Sequence, residues 1–231
     1  MSPRIWACMP VKDFSLAKQR LASVLSPQER YLLAEAMVQD VLDALQAASG
    51  LAGIAILTVD AVAARIAQRR GLRVIEDCAA EGHTRVANAA MFRLRAEGAD
   101  AVLMIPGDIP LVTPREVDRV VAMAPRGQFT IVPSHDYDGS NAILCSPPGH
   151  VPLRYGLDSF QCHLSAARAH GITPTVIELS GVAHDIDRPQ DLDFILHSSL
   201  ETRARSLLRT LAAWPAQDTP RERTKIPKRA A

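Results

Sequence analysis

The sequence predicts an α/β protein, a Rossmann-like three-layer α/β/α fold built on a mostly parallel β-sheet. Apolar runs of strand length alternate with segments in which apolar residues recur at helical spacing. Several predicted helices also carry clear start and stop signals, which separate them from the strands. Strands that alternate with helices favour parallel pairing, with helices packed on both faces of the sheet.

Seven apolar runs have the length of a β-strand. The first is followed at once by Lys12 and Asp13, so it is too short for a signal peptide or a membrane span. The fifth and sixth are joined by Asp138-Gly139-Ser140-Asn141, which is typical of a hairpin turn. The predicted strands are residues 4–11, 54–59, 72–75, 101–105, 129–132, 142–145 and 175–179.

Two helix starts combine a capping residue, a proline at the first helical position and a glutamate that closes a capping box. They are Ser26-Pro27-Gln28-Glu29 and Thr113-Pro114-Arg115-Glu116. Gly71 and Gly98 stand where helices should end before the next strand. Another helix is expected to begin near Ser159, after a loop that contains glycine.

Composition favours one domain. The chain has 231 residues, 48% of them hydrophobic, which is enough for one sizeable core. We expect that domain over residues 1–200, followed at 201–231 by a helix (203–213) and a basic, disordered tail from about Pro215. The net charge of +1 gives no sign of nucleic-acid binding. Four scattered cysteines favour a protein with reduced thiols in the cytoplasm. We expect no membrane association, and the sequence leaves open whether the protein is a homodimer.

Two acidic motifs are the clearest functional signal. Asp108 lies in Gly107-Asp108-Ile109-Pro110-Leu111 after the apolar run 101–105, whereas Asp185 and Asp187 lie in His184-Asp185-Ile186-Asp187. Open α/β sheets bind ligands at the carboxyl ends of their strands, and residues two apart on an extended segment point to the same side. Three such carboxylates suit Mg²⁺, which prefers oxygen ligands and substrate phosphates. The motifs predict a phosphate-transferring enzyme, although each alone could cap a turn or begin a helix.

The loop after the first predicted strand is basic. It carries Lys12, Lys18 and Arg20 and has no glycine, so it is neither a P-loop nor a dinucleotide-binding fingerprint. Cationic side chains in this place would neutralise a triphosphate beside the metal. Taken alone, the same spacing is also typical of a solvated helix face.

A second loop, from Tyr155 to His163, opens into a predicted helix near Ser159. Free amides and the dipole at a helix N-terminus bind anions, so Gly156 and Ser159 could receive a phosphate. His163 would lie in the second helical turn, where packing or hydrogen bonding is a more common role for histidine than acting as a base.

Together, in this order, the motifs resemble the CofC/FbiD guanylyltransferases of coenzyme F-420 biosynthesis, relatives of the molybdenum-cofactor nucleotidyltransferases. The resemblance covers residues 5–196. It rests on Pro10-Val11-Lys12, Lys18-Gln19-Arg20-Leu21, Gly107-Asp108-Ile109-Pro110-Leu111, Asp138-Gly139-Ser140-Asn141-Ala142, Tyr155-Gly156 with Ser159-Phe160 and His163, and His184-Asp185-Ile186-Asp187. It implies a nucleotide-diphospho-sugar transferase-like nucleotidyltransferase domain over residues 1–200. This domain would use GTP, Mg²⁺ and a small phosphorylated acid: 2-phospho-L-lactate, phosphoenolpyruvate or 3-phospho-D-glycerate.

The resemblance also implies roles for individual residues. Lys12, Lys18 and Asp108 would be catalytic, and Asp108, Asp185 and Asp187 would hold the metal. Substrate binding would fall to Arg20, Gly82, Asn88, Ser140, Asn141, Gly156 and Ser159.

Two segments depart from the family pattern. The spacing from Gly82 to Asn88 differs, and the glycine- and threonine-rich turn is altered to Asp138-Gly139-Ser140-Asn141. Three alternatives therefore stay open: another nucleotidyltransferase with a sugar-phosphate or pterin acceptor, a glycosyltransferase, or a catalytically silent nucleotide-binding protein.

Overall fold

The computed structural model describes residues 3–76, 82–124 and 129–211. Within them, seven strands form one sheet: β1 (Ile5–Val11), β2 (Gly53–Thr58), β3 (Arg73–Glu76), β4 (Ala101–Met104), β5 (Phe129–Pro133), β6 (Ser140–Cys145) and β7 (Thr175–Val176). Their order is β3-β2-β1-β4-β6-β5-β7, and β6 runs antiparallel to both of its neighbours while the other pairs are parallel. The predicted mostly parallel sheet is confirmed, and each predicted strand overlaps an observed one.

The helices are α1 (Pro27–Ala47), α2 (Ala61–Arg69), α3 (His83–Ala96), α4 (Pro114–Val121), α5 (Ser159–Ala169), α6 (Ser180–Ala183), α7 (Pro189–Leu196) and α8 (Arg203–Thr210). Both predicted capping boxes form, at the starts of α1 and α4. Gly71 and Gly98 follow α2 and α3 with φ of +69° and +92°, a conformation that glycine adopts without strain. None of the described helices has the length and apolar character needed to cross a bilayer.

Alternate residues of β4 show that helices cover both faces of the sheet. Ala101 and Leu103 belong to a buried cluster that includes residues of α1, α2 and α4. Val102 and Met104 belong to a second cluster, with residues of α3 and α5. Because successive side chains of a strand point to opposite faces, this division confirms the predicted three-layer arrangement.

The last helix, α8, is fixed to α1 by a buried carboxylate. Asp40 accepts hydrogen bonds from the backbone amides of Arg203 and Ala204, each at 2.9 Å. Ala204 and Leu208 are buried in a third apolar cluster with residues of α1 and α7. Residues 203–210 of the predicted helix at 203–213 form α8, which packs on α1, and residues 212 and 213 lie outside the described ranges. The predicted disorder of the tail concerns residues that lie outside the described ranges.

The strand order creates a crevice between β1 and β4. From β1 the chain moves outward through β2 to β3, and then returns to place β4 on the opposite side of β1. Ligands of open α/β sheets bind at such a switch point, beyond the carboxyl ends of the strands. Since β6 runs antiparallel to β4, β6 begins at this same edge and brings Ser140 and Asn141 to it.

Candidate active site

Four chain segments meet at the switch point. They are the loop after β1, the loop after β4, the start of β6 and the segment between α6 and α7. A backbone hydrogen bond of 3.0 Å from the amide of Ile186 to the carbonyl of Asp108 joins two of them. Ile186 is fully buried, so it anchors the two aspartates that flank it. This contact explains how carboxylates far apart in sequence come together.

Lys18 bridges two of the predicted metal ligands. Its Nζ donates to Asp108 Oδ2 at 2.7 Å and to Asp187 Oδ1 at 2.8 Å, and its side chain is only 8% exposed. The backbone of Lys18 is left-handed, with φ of 53°, which is unfavourable for a residue other than glycine. A solvated helix face is therefore the wrong interpretation of this lysine, and such local strain is typical of functional sites.

Charge outweighs burial at Lys18. Burial opposes its charged form, but the carboxylates of Asp108 and Asp187 overcome this effect and raise the pKa of Lys18 to about 12. The same ion pairs act on Asp187. Burial alone would raise the pKa of Asp187, whereas the charges of Lys18 and Arg20 bring it below its usual value. Both partners are therefore ionised at neutral pH.

Asp185 lies in a different environment. Asn141 Nδ2 donates to Asp185 Oδ1 at 3.0 Å and also bonds the carbonyls of Val182 and Ala183. Burial raises the pKa of Asp185, and the negative charges of Asp108 and Asp187 raise it further. The three predicted carboxylates are thus close enough to repel one another, and Asn141 positions the third.

The donor set fits a divalent cation. Its ligands are carboxylate oxygens, the type that Mg²⁺ prefers. Asp108 Oδ1 is a buried acceptor without a hydrogen-bond partner among the described residues, so a cation would satisfy it. In those same ranges no three acidic, histidine or cysteine side chains are grouped closely enough to share an ion. Joint coordination by all three aspartates stays a prediction, and it requires Lys18 to release a carboxylate.

Two clefts adjoin at these carboxylates. The first cleft, of about 410 Å³, is lined by Lys12, Lys18 and Asp108. The second cleft, of about 430 Å³, is lined by Gly156 and Asp185. Both are also lined by Arg20, Asn141 and Asp187. Lys12 and Lys18 of the predicted basic loop therefore line the first cleft, and Gly156 of the predicted acceptor loop lines the second.

Three predicted substrate-binding residues lie away from the two clefts. Asn88 Nδ2 donates to the carbonyl of Leu153 at 3.0 Å and Asn88 Oδ1 accepts from the amide of Leu153 at 2.8 Å, which ties α3 to the segment just before the acceptor loop. Gly82 caps α3 with φ of +80°, and Ser159 is buried at the start of α5. None of them lines either cleft. Their direct contact with a substrate stays a prediction, and the observed role of Asn88 is structural.

Asp60 was not among the predicted site residues. Its carboxylate caps α2 through the amides of Val62 and Ala63, at 2.7 and 2.8 Å. It also accepts a hydrogen bond of 3.0 Å from the amide of Phe14, within the basic loop. Asp60 therefore fixes that loop against the sheet. The sequence signal was an aspartate directly before a helix, which predicts only the cap.

His163 connects β6 to the acceptor loop. Its Nδ1 lies 3.0 Å from Ser140 Oγ, and its Nε2 accepts a hydrogen bond of 2.8 Å from the amide of Arg154. The imidazole is fully buried, and burial, helped by the nearby charge of Arg154, lowers the pKa of His163 to about 4. The expected role in hydrogen bonding is confirmed, and the side chain is neutral at physiological pH.

This low pKa predicts a specific loss of stability in acid. Unfolding frees an imidazole that titrates at its ordinary value of 6.5, so the unfolded state binds a proton before the folded state does. The stabilising contribution is complete above pH 6.5 and is lost as the pH falls towards 4. Between pH 7 and pH 4, we expect the free energy of unfolding to fall about 3 kcal/mol more in the wild type than in His163→Asn. Urea denaturation at pH 7 and pH 4 measures it, and equal losses in both proteins would contradict it.

Solved structures share this fold. One is a proposed nucleotide-diphospho-sugar transferase from Desulfovibrio desulfuricans, with a TM-score of 0.74 and 20% identity over 90% of this chain and 95% of that chain. Another is a 4-diphosphocytidyl-2C-methyl-D-erythritol synthase, with a TM-score of 0.59 and 14% identity over 90% of this chain and 99% of that chain. The sheet order and these structures show the fold class that the resemblance implied, a nucleotide-diphospho-sugar transferase-like α/β fold.

Within this class, the chain belongs to the family of CofC-like guanylyl transferases, whose family model matches residues 5–229. A phosphoenolpyruvate guanylyltransferase from Conexibacter woesei is 35% identical over 81% of this chain and 85% of its own length. A second phosphoenolpyruvate guanylyltransferase, from Rubrobacter xylanophilus, is 37% identical over 81% of this chain and 91% of its own length. A 2-phospho-L-lactate guanylyltransferase from Methanothermobacter thermautotrophicus is 32% identical over 89% and 90%. The family predicted from the order of the motifs is confirmed.

Proposed function

We propose that this protein transfers GMP from GTP to a small phosphorylated acid and releases pyrophosphate, as a step in coenzyme F-420 biosynthesis. The observation that carries the proposal is the pair of adjoining clefts that meet at Asp187, one with a basic loop and one with an acceptor loop. The family and its named relatives support the same reaction. The substrates are soluble metabolites, and we place the reaction in the cytoplasm.

The two clefts suggest how the substrates are arranged. The triphosphate of GTP would lie in the first cleft against Lys12 and Lys18, and the acceptor would lie in the second cleft beside Gly156. A phosphate oxygen of the acceptor then attacks the α-phosphorus of GTP, a new phosphorus–oxygen bond forms, and the bond to pyrophosphate breaks. The attacking oxygen is already ionised near neutral pH, so no general base is needed. Catalysis then rests on positioning and charge neutralisation.

The carboxylates at the junction would serve the metal. Asp108, Asp185 and Asp187 are the residues that would hold Mg²⁺, which when bound neutralises charge on the phosphate oxygens. For this, Lys18 would exchange its carboxylate partners for the oxygens of the leaving pyrophosphate. Its side chain is flexible and remains charged, so it can stabilise the negative charge that develops there. Lys12 is exposed at the mouth of the same cleft and would add a second positive charge.

The acceptor is a further part of the proposal. Phosphoenolpyruvate is the first candidate, because the two bacterial relatives named above are phosphoenolpyruvate guanylyltransferases. 2-Phospho-L-lactate and 3-phospho-D-glycerate share its essential chemistry, a phosphate close to a carboxylate. A silent nucleotide-binding protein is the alternative, and the altered spacing between Gly82 and Asn88 is the feature that favours it.

Pyrophosphate release tests the proposal directly. The protein is incubated with Mg²⁺ and GTP against each of the three acids and a sugar phosphate, with ATP, CTP and no-acceptor controls. Release that requires GTP and one of the acids supports the proposal and identifies the acceptor. GTP binding without release in every mixture would favour the silent protein instead. Release with CTP and a sugar phosphate would favour a different nucleotidyltransferase.

A further inference from the structure

We infer that His163 is a positioning residue that turns the hydroxyl of Ser140 into a hydrogen-bond donor for an anionic oxygen of the acceptor. This inference rests on the proposed function and extends it to a residue outside both clefts. It follows from the two hydrogen bonds of the imidazole, from its burial and from the location of Ser140.

The first step is the tautomer of the imidazole. A backbone N–H can only donate, and the amide of Arg154 donates to His163 Nε2 at 2.8 Å. Nε2 must therefore carry a lone pair, which places the proton of the neutral ring on Nδ1. Nδ1 lies 3.0 Å from Ser140 Oγ, so the imidazole donates and the hydroxyl oxygen accepts, with the backbone carbonyl of Ser159 as a second acceptor beside the ring.

Packing keeps the ring in this orientation. His163 is fully buried, and the ring of Tyr155 meets it edge-on with centroids 5.2 Å apart. A flipped ring would place carbon atoms opposite both Ser140 Oγ and the amide of Arg154. The half-buried hydroxyl of Ser140 and the backbone amide of Arg154 would then both lose their partner on the fully buried ring. The observed orientation is therefore strongly favoured.

The second step concerns the hydroxyl of Ser140. It has one proton and two lone pairs, and the imidazole occupies one lone pair. Ser140 Oγ makes no other hydrogen bond to the described residues, so its proton has no acceptor there. Ser140 lines the first cleft next to Asn141, which positions Asp185. Ser140 lines the first cleft and not the second, whereas its neighbour Asn141 lines both, so the hydroxyl proton is available on the first-cleft side of their junction. The phosphate of the acceptor must reach this junction to attack the α-phosphorus of GTP.

The donor role of the Ser140 hydroxyl indicates which chemical group it binds. Phosphate and carboxylate oxygens that are ionised can only accept hydrogen bonds, and hydrogen bonds to charged groups are the stronger kind. The geometry thus favours an ionised oxygen of the acceptor over a neutral hydroxyl. Through Arg154, the same imidazole also fixes the beginning of the acceptor loop.

The tautomer can be observed without any substrate. In the full-length protein labelled with ¹⁵N-histidine, two-bond proton–nitrogen correlations at pH 7 distinguish a protonated Nδ1 from a protonated Nε2. We expect His163, assigned by its absence from the spectrum of His163→Gln, to carry its proton on Nδ1. A proton on Nε2, or on both nitrogens, would overturn the inference whatever reaction the protein catalyses.

Two matched variants separate the two hydrogen bonds. Asparagine places an amide nitrogen near Nδ1 and can still donate to Ser140, whereas glutamine reaches the position of Nε2 and can still accept from Arg154. We expect His163→Gln to raise the KM of the acceptor about 10- to 100-fold, as loss of a hydrogen bond to a charged group does. His163→Asn should raise it much less, and the KM of GTP should stay near the wild-type value in both.

The last comparison uses Ser140→Ala. If His163 acts through this hydroxyl, adding His163→Gln to Ser140→Ala should raise the acceptor KM no further, because the interaction is already lost. Independent, multiplying effects, or a larger loss in His163→Asn than in His163→Gln, would show a merely structural role and overturn the inference. A wild type that is inactive with all three acids would instead refute the proposed function, and the tautomer measurement would still decide the orientation of His163.

Discussion

Replacing Asp108 by asparagine is expected to lower turnover at least ~100-fold and to leave the fold intact. Asparagine has the same shape but no charge, so it weakens both the proposed metal site and the 2.7 Å ion pair with Lys18. Lys18 keeps its second carboxylate partner, Asp187 Oδ1 at 2.8 Å, so its buried ammonium group stays paired and the native state is retained. Steady-state pyrophosphate release measures the effect on turnover, and thermal unfolding measures the effect on the fold.

A matched control is available in the second cleft. Asp138 lines this cleft, and the structure gives its side chain no contact with Lys18 or with the other carboxylates. Asp138→Asn removes the same charge at a short distance and should keep most of the turnover. If Asp108→Asn retains wild-type activity, Asp108 has no part in the reaction. If both variants lose activity equally, the loss reflects the total charge of the cleft and not the position of Asp108.

The fold could be predicted because its local signals agree with its tertiary structure. The capping boxes at Ser26 and Thr113 fix the starts of two helices, and apolar runs bounded by polar residues mark the strands. The predicted strand boundaries were less accurate for β6 and β7. β7 has only two residues, Thr175–Val176, because the chain soon turns into α6. β6 begins at Ser140, where it pairs with Pro133 across an irregular register that the sequence does not reveal.

The acidic residues of the site could be predicted for a similar reason. Asp108 lies in the loop after β4, whereas Asp185 and Asp187 follow α6, and the charges of Asp108 and Asp187 act on Asp185 in the structure. The motif His184-Asp185-Ile186-Asp187 also leads into a helix, which was the alternative interpretation. Asp191 caps α7 and accepts a hydrogen bond from the amide of Asp187 at 2.9 Å. One short segment therefore both begins a helix and positions a carboxylate.

The contacts of the other site residues depend on distant parts of the chain. Asn88 bonds a loop 65 residues away, and Ser140 bonds a histidine 23 residues away. Neither distance produces a periodic pattern, so sequence can suggest that such residues matter without indicating what they touch. The same holds for Lys18, whose left-handed backbone and burial arise only when the loop after β1 meets the loop after β4.

Replacing Lys18 by methionine should have opposite effects on catalysis and on metal binding. Methionine keeps much of the apolar length of the side chain but leaves Asp108 and Asp187 without their shared ammonium group. We expect turnover to fall at least ~100-fold, because the proposed stabilisation of pyrophosphate is lost. We also expect Mg²⁺ to bind at least ~10-fold more tightly, because it no longer competes with a positive charge a few ångströms away.

The matched control for this variant is Lys12→Met. Lys12 belongs to the same loop and carries the same charge, but it is exposed and forms no ion pair with Asp108 or Asp187. Mg²⁺ titrations followed by calorimetry should therefore show tighter binding for Lys18→Met and little change for Lys12→Met. If the metal affinity of Lys18→Met is unchanged, Mg²⁺ does not use the space between these two carboxylates. If the affinity for Mg²⁺ rises by the same factor in both variants, Lys18 acts only through its contribution to the electrostatic potential of the cleft. Tighter binding in Lys18→Met alone would mean that the ammonium group holds the two carboxylates in place until a metal ion replaces it.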